Sequence, residues 1–436
     1  MMSRSSRRTV VVFVSGLVAS AAFAQGSNPV VKPPVSQAWI DIATFSGMGM
    51  PMGMPPGGGP GAANPMAAIG GRFGGGGGGG TKAGGNNNSF GQTQGMSAGR
   101  WVDVTLSTRN NPALTEAQQA VPAGFMPSPA LKLLAPREVK SAAPDPDDEK
   151  VVEPKVERPK GRLLLYWGCG AAIRPGQPKV LDMASASSAD MANFFVSRGE
   201  TKRGAHQAAG RPVWPSLDDA RMVPPGASLV GEHAFSGAGV PEGFRFQIPA
   251  AQDVMPPLQV RQADQGGATE LSWGALPTAR AYFIAGMGAA QKDEMVIWTS
   301  SELPDTGFGL LDYQTNSAVD RWLREKVLLQ PSTTQCTVPK GVFPGQGGML
   351  RVIAYGSELN LAHPPRPADP KAVWEPVWAV KLRVKSMAMV IPGMPSMPDA
   401  RETGAPRGAE TSPPAQQEPA KKEVNPMDLL KGILGR

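Results

Sequence analysis

Hydrophobic and polar positions alternate most regularly in Leu258–Ser300. Leu258 and Val260, then Leu271 and Trp273, fall on every second residue, the period of a half-buried strand. Gln265-Gly266-Gly267 between them supplies a turn, because glycine accepts positive φ without steric cost. Ala281–Gly286 and Met295–Thr299 are two further runs of aromatic and branched residues, and Leu350–Tyr355 and Ala379–Val384 read as later strands. Gln37–Thr44 (QAWIDIAT) and Arg100–Leu106 (RWVDVTL) share a pattern: Trp, a branched residue, Asp, a branched residue. This likeness predicts that 36–44 and 100–107 pair as neighbouring strands. Gly161–Gly170 (GRLLLYWGCG) is a continuous apolar run closed by glycine, which suits a strand buried on both faces. Val180–Met183, Ser228–His233 and Phe244–Ile248 are shorter strand candidates, and Ala189–Ser197 reads as a short helix.

The clearest helical period lies at 316–329. Val319, Trp322, Leu323, Lys326 and Val327 share one face there, with Asn316 or Ser317 as cap. Three segments lack the branched and aromatic residues needed to offset the entropy of ordering and are expected to be disordered. They are the Gly/Met/Asn-rich insertion 45–99, the Pro- and charge-rich linker 110–160, and the tail 387–436. The tail ends in a short amphipathic turn that starts at Asn425-Pro426. The fold class that follows is mainly all-β. An N-terminal β-rich domain is made of the first strand pair and 161–250, and a second β domain spans 257–386.

The second domain carries a resemblance. Trp273-Gly-Ala-Leu276-Pro277-Thr-Ala279-Arg-Ala-Tyr282 resembles the corner between strands B and C of fibronectin type III-like modules. The resemblance implies an antiparallel two-sheet sandwich, with Leu350–Tyr355 as strand F and Ala379–Val384 as the last strand. The chain departs from the family between Leu303 and Gly348, where the sequence is too long for an ordinary loop; the helix inserted there is expected to cover a sandwich edge. Fibronectin-like modules host many functions, so the likeness carries no activity. The overall pattern also resembles uncharacterised exported bacterial proteins, which implies none either.

Composition changes the picture mainly through the N-terminus. Arg4, Arg7 and Arg8 precede the apolar run Thr9–Ala21, and Ala22-Phe23-Ala24 is a small-x-small cleavage site. Residues 1–24 are therefore expected to be a signal peptide cleaved after Ala24, with the protein periplasmic or secreted. No later run has the length of a membrane-spanning helix. Of 43 Lys and Arg, three leave with the signal, against 36 acidic residues. The mild positive balance and the export give no reason to expect a nucleic-acid partner. Cys169 and Cys336 are the two cysteines, and an oxidising compartment favours a disulfide between them over two separate buried thiols.

Recognisable chemistry is sparse. The three histidines, His206, His233 and His363, have no His or Cys partner at metal-ligand spacing, and no nucleophile-elbow or zinc-protease motif occurs. A dispersed hydrolase triad would have His233, beside Glu232, as its base. Met48, Met50, Met52 and Met54 alternate, and Met387, Met389, Met394 and Met397 cluster again. Thioethers are soft ligands for Cu(I), so a periplasmic copper binder is one alternative; a compositional Met/Gly/Pro drift explains the same residues. The leading expectation is a non-catalytic binding or scaffolding protein without a cofactor, whose partner is a protein or glycan of the cell envelope. Trp374 and Trp378, in Val-Trp-Glu-Pro-Val-Trp, are its candidate contacts; core positions at the start of the last strand are the favoured reading of the pair.

Overall fold

The computed structural model describes residues 31–47, 88–95, 97–136, 161–196, 198, 204–290, 294–344, 348–369 and 371–394. The signal segment, Met48–Met54 and the C-terminal turn lie outside them.

The strand pair expected from the two Asp-bearing segments lies at the centre of the large sheet. β1 (Ser36–Gly47) and β2 (Gly99–Thr108) are antiparallel, with Asp41 opposite Asp103. On its other side β1 pairs in parallel with β17 (Trp378–Val390), from Ser36↔Trp378 to Gly47↔Met389. Next to β17 come β15 (Met349–Tyr355), β12 (Ala281–Ala289), β13 (Glu294–Thr299), β5 (Arg162–Trp167) and the edge strand β6 (Lys179–Asp182). β16 (Leu359–His363) pairs with the first half of β17. Beyond β2 the sheet continues through β7 (Val213–Trp214), β4 (Ala130–Leu134), β3 (Glu116–Ala120), β8 (Gly231–Gly237) and β9 (Arg245–Ile248). Among the described residues only the β1/β17 and β5/β13 pairs are parallel. A second sheet holds β10 (Val260–Gln265), β11 (Ala268–Trp273) and β14 (Gln335–Val338), in that order.

The alternation read from sequence sorts side chains onto the two faces. Val260, Leu271, Trp273, Cys336 and Val338 of the small sheet pack against Tyr282, Ile284, Val296, Trp298, Val352 and Val384 of the large one. The reverse face of the large sheet, with Ala281, Phe283, Ile353 and Tyr355, is covered by helix α2 (Asn316–Arg324) through Val319 and Trp322. A third cluster sits on β5, β6 and β13, where Leu163, Leu165, Leu181 and Ile297 pack with Phe194 of helix α1 (Ser188–Phe194). Parity explains β13. It is buried along its whole length because Val296 and Trp298 enter the first core while Met295 and Ile297 enter the third.

Several boundaries differ from expectation. The 161–250 segment and the 257–386 segment share one sheet, because β5 pairs with β13 and β1 pairs with β17. Part of the expected linker is ordered as β3 and β4, where Ala117, Leu131 and Leu133 are buried on alternating positions between prolines and charges. The insertion 45–99 begins later, since β1 runs to Gly47, and Asn88 and Thr93 near its end are buried. The tail likewise begins after Val390, the end of β17. α2 is shorter than the 316–329 expected. Thr315 is its cap, accepting from the Ala318 N–H at 3.1 Å. Lys326 at φ 60 breaks it, turning Leu329 into a backbone bridge with Tyr282. α2 also lies on a sheet face rather than along an edge.

Candidate functional site

The two candidate tryptophans have different environments. Trp378 opens β17 and is 8% exposed; its ring stacks on Phe244 at 5.0 Å and on His363 at 5.5 Å. It is a core residue. Trp374, four residues earlier, is half-buried and lies beside Val31, to which its backbone bridges in parallel. Its indole Nε1 donates to the Pro364 carbonyl at 3.0 Å, and the Arg366 guanidinium lies 6.0 Å from the ring centre. The neighbouring apolar residues are open: Val31 is 50% exposed, Val373 62% and Val377 38%. Glu375 ties this stretch down, accepting from Arg109 at 2.7 Å and Lys32 at 3.0 Å. Those two cations hold its carboxyl below the ordinary glutamate range. The result is a fixed indole among exposed valines.

Midway along the β1/β17 ladder runs a row of buried charge. Asp41, Asp103 and Arg383 are lateral neighbours on β1, β2 and β17, all 3% exposed or less. Arg383 grips Asp41 with two bonds, Nε to Oδ1 at 2.7 Å and a terminal nitrogen to Oδ2 at 2.5 Å. One row on, Lys385 donates to Asp312 at 2.8 Å. The buried Tyr313 ring lies 4.3 Å from the Arg383 guanidinium and 4.2 Å from the Lys385 ammonium. Burial works against the charge on Arg383, but the Asp41 carboxylate outweighs it and holds the guanidinium above its ordinary value. The Ala205 N–H donates to Asp41 at 3.0 Å, and Gly204 makes that approach possible: a Cβ there would sit 1.7 Å from an Arg383 nitrogen.

This row fixes register. A one-residue slip of β17 against β1 would swing Arg383 and Lys385 into the apolar core on the other face. In the sequence alone the matching aspartates carry no mark of burial, and the Lys-x-Arg-x-Lys spacing of 381–385 gains its meaning only beside them. Together those two patterns were the available signal.

Asp103 is the titratable member. Burial pushes its carboxyl up to about 7; Asp41 adds to the rise, and donors from the Thr93 side chain and the Gly91 and Thr93 backbone oppose it. The unfolded chain therefore ionises Asp103 first, near 3.8. Its contribution to stability is full below that pH and is lost as pH rises to about 7. Asp103→Asn is expected to remove roughly 2–4 kcal/mol of stability change between pH 4 and 7. Denaturant unfolding of both chains across that range, compared as a difference, measures it; parallel pH profiles would refute the assignment.

The other sequence candidates are placed as follows. The sulfurs of Cys169 and Cys336 are at bonding distance, 2.11 Å, and link the loop after β5 to β14. Met387 and Met389 are strand residues in β17, and Met387 packs in the α2-side core. Met48, Met50, Met52, Met54 and Met397 lie outside the described residues, among which no group of His, Cys, Asp or Glu is arranged to hold a metal. His233 does not fit a general base. It is wholly buried, stacks on Phe246 at 5.4 Å, and both ring nitrogens are engaged, Nε2 with the Leu229 carbonyl at 2.7 Å and Nδ1 with Gln119 at 3.1 Å. Burial lowers its pKa, and Glu232 points to solvent beside Arg245. No described helix is long and apolar enough to cross a membrane. No protein-family model matches the chain, and no curated protein matches it.

Proposed function

We propose that this chain is an exported, non-catalytic protein of the cell envelope or the surrounding medium, which binds a partner protein or glycan through the surface around Trp374. The observation that supports the reading is the half-buried indole, fixed by Pro364 and flanked by Val31, Val373 and Val377. Rigid aromatic anchors among solvent-facing apolar residues are the usual energetic centres of recognition surfaces. The cysteine pairing favours an oxidising compartment.

The proposal retains the fibronectin type III-like reading of 257–386. Its support is the strand order, β10-β11-β14 on one sheet against β13-β12-β15-β17 on the other. The Leu276 N–H also donates to the Tyr282 hydroxyl at 3.0 Å across the corner that carries the resemblance.

The test is retention of the purified chain on envelope prepared from the producing cells. Trp374→Ala should weaken retention roughly thirtyfold, the loss of about 2 kcal/mol that a central aromatic anchor carries. Its unfolding midpoint should barely change, because the ring is not part of the core. Protease treatment of the envelope before binding separates a protein partner from a glycan. Equal retention of the wild-type and alanine chains would refute the assignment.

A further inference from the structure

Away from Trp374, at the opposite end of the β6-to-β9 strand order from β9, the large sheet ends on β6. A groove of about 490 Å³ lies beside this strand, lined by Lys179, Val180, Leu181 and Asp182 together with Asp190 and Asn193 near α1. Side chains alternate between faces along a strand. Four consecutive residues can line one groove only if the groove follows the backbone edge rather than either face.

The edge groups that face it follow from the ladder. The Met183 N–H donates to the Gly161 carbonyl at 2.9 Å, and the β5/β6 register is Leu163↔Leu181 and Leu165↔Lys179. Residues 183, 181 and 179 therefore direct their backbone groups at β5, and Val180 and Asp182 direct theirs outward. The Asp182 carbonyl is taken by the Ala186 N–H at 2.9 Å. The Val180 N–H, the Val180 carbonyl and the Asp182 N–H remain, three successive ladder positions with no strand beside them among the described residues. Val180 is 49% exposed, whereas Leu181 and Phe194 close the apolar floor at 5% and 2%.

The charges in the groove are unequal. Lys179 is committed, its ammonium on the Asn193 carbonyl at 3.0 Å and 5.7 Å from the Phe194 ring. Asp182 and Asp190 are exposed, and each has one oxygen occupied by local N–H groups, Ala184 for Asp182 and Ser187 for Asp190. Among the described residues no cation pairs with either carboxylate.

We propose that the β6 edge is a docking site for an extended peptide segment of a partner protein. The segment adds as a further strand through Val180 and Asp182, places an apolar side chain beside Val180, and offers a basic side chain to Asp182 and Asp190. Strand addition of this kind takes affinity from main-chain bonds and specificity from alternate side chains. The site is independent of the Trp374 surface.

The test uses the full chain against an immobilised set of N-acetylated six-residue peptides in which Val or Ile alternates with Lys, Thr or Glu. Each peptide is also present as a twin whose alternate amides are N-methylated. The Lys-bearing peptides should bind, and their methylated twins should bind at least tenfold more weakly. Val180→Pro should produce the same loss; it removes an outward N–H and no ladder bond, and proline is tolerated on edge strands. Asp182→Lys should shift preference from the Lys to the Glu peptides, which tests the site separately should the proline variant fail to fold. The proposal is overturned if no peptide outbinds its methylated twin, or if neither variant changes the pattern. It is also overturned if the Val180 and Asp182 amides are already protected from exchange in the dilute free chain, since a segment of this chain then fills the edge. Self-association that Val180→Pro abolishes would assign the edge to a second copy and overturn it equally.

Discussion

Replacing Arg383 with alanine is expected to lower the stability of the fold by about 3–5 kcal/mol, the usual consequence of leaving one member of a buried ion pair without its partner. Asp41 is 1% exposed and Arg383 3%, so the abandoned carboxylate cannot recover its hydration. The Ala205 N–H is its other donor, at 3.0 Å, and one amide does not replace a bidentate guanidinium. Asp41→Ala should cost a similar amount, and the double substitution much less than the two losses added together. An apolar pair of similar volume, Asp41→Leu with Arg383→Met, should restore most of the stability, because the attraction between buried charges is largely offset by the desolvation of both. Denaturant unfolding of the four chains measures this cycle. Additive losses would mean that the contact does not couple β1 to β17.

Loss of the Cys169–Cys336 bond is expected to cost about as much. The bond closes a loop across a sequence separation of 167, for which the chain-entropy relation gives about 5 kcal/mol. Its position adds a local role. Among the described residues β14 is an edge of the small sheet, paired with β11, and the bridge fastens it to the loop after β5 in the large sheet. Two backbone bonds accompany it, Gly170 N–H to Thr337 at 2.9 Å and Lys340 N–H to Ala171 at 3.1 Å. The chain with both cysteines replaced by serine should therefore fold, with its unfolding midpoint at lower denaturant and its small sheet exchanging amide protons first. Two titratable thiols in the denatured, unreduced protein would contradict the bond.

The patterns that proved informative were those in which a residue's burial depends on its immediate neighbours. Alternation at Leu271 and Trp273, the branched run 295–299 and the helical stripe at Val319 and Trp322 each report a local surface facing a core, and each is found there. Repetition of Trp-x-Asp identified β1 and β2 as partners because neighbouring strands share one environment. The β1/β17 ladder was not legible. Its partners, Asp41 and Arg383, are separated by 342 residues, and alternation specifies a face without specifying the strand alongside. β3 and β4 were obscured for another reason: Glu116–Ala120 buries only the small Ala117 and the polar Gln119 and leaves Ala120 exposed, so little hydrophobic contrast marks it. The β6 edge was recognised as a strand, but edge position belongs to the whole sheet and not to the segment.

Trp374 shows the same limit at the candidate site. Trp374 and Trp378 stand in one short motif with nothing local to separate them. What separates them is Phe244, which reaches Trp378 from just before β9 and leaves Trp374 at the margin.

The most direct test of the binding role is site-specific crosslinking in the native envelope. A photoreactive residue replaces Val373, which is 62% exposed beside Trp374, and a control chain carries the same group at Leu217, which is 69% exposed. The account predicts a discrete covalent adduct from position 373 that is lost with Trp374→Ala and does not form from position 217. Adducts of equal yield from both positions, or an adduct at 373 that survives Trp374→Ala, would contradict it.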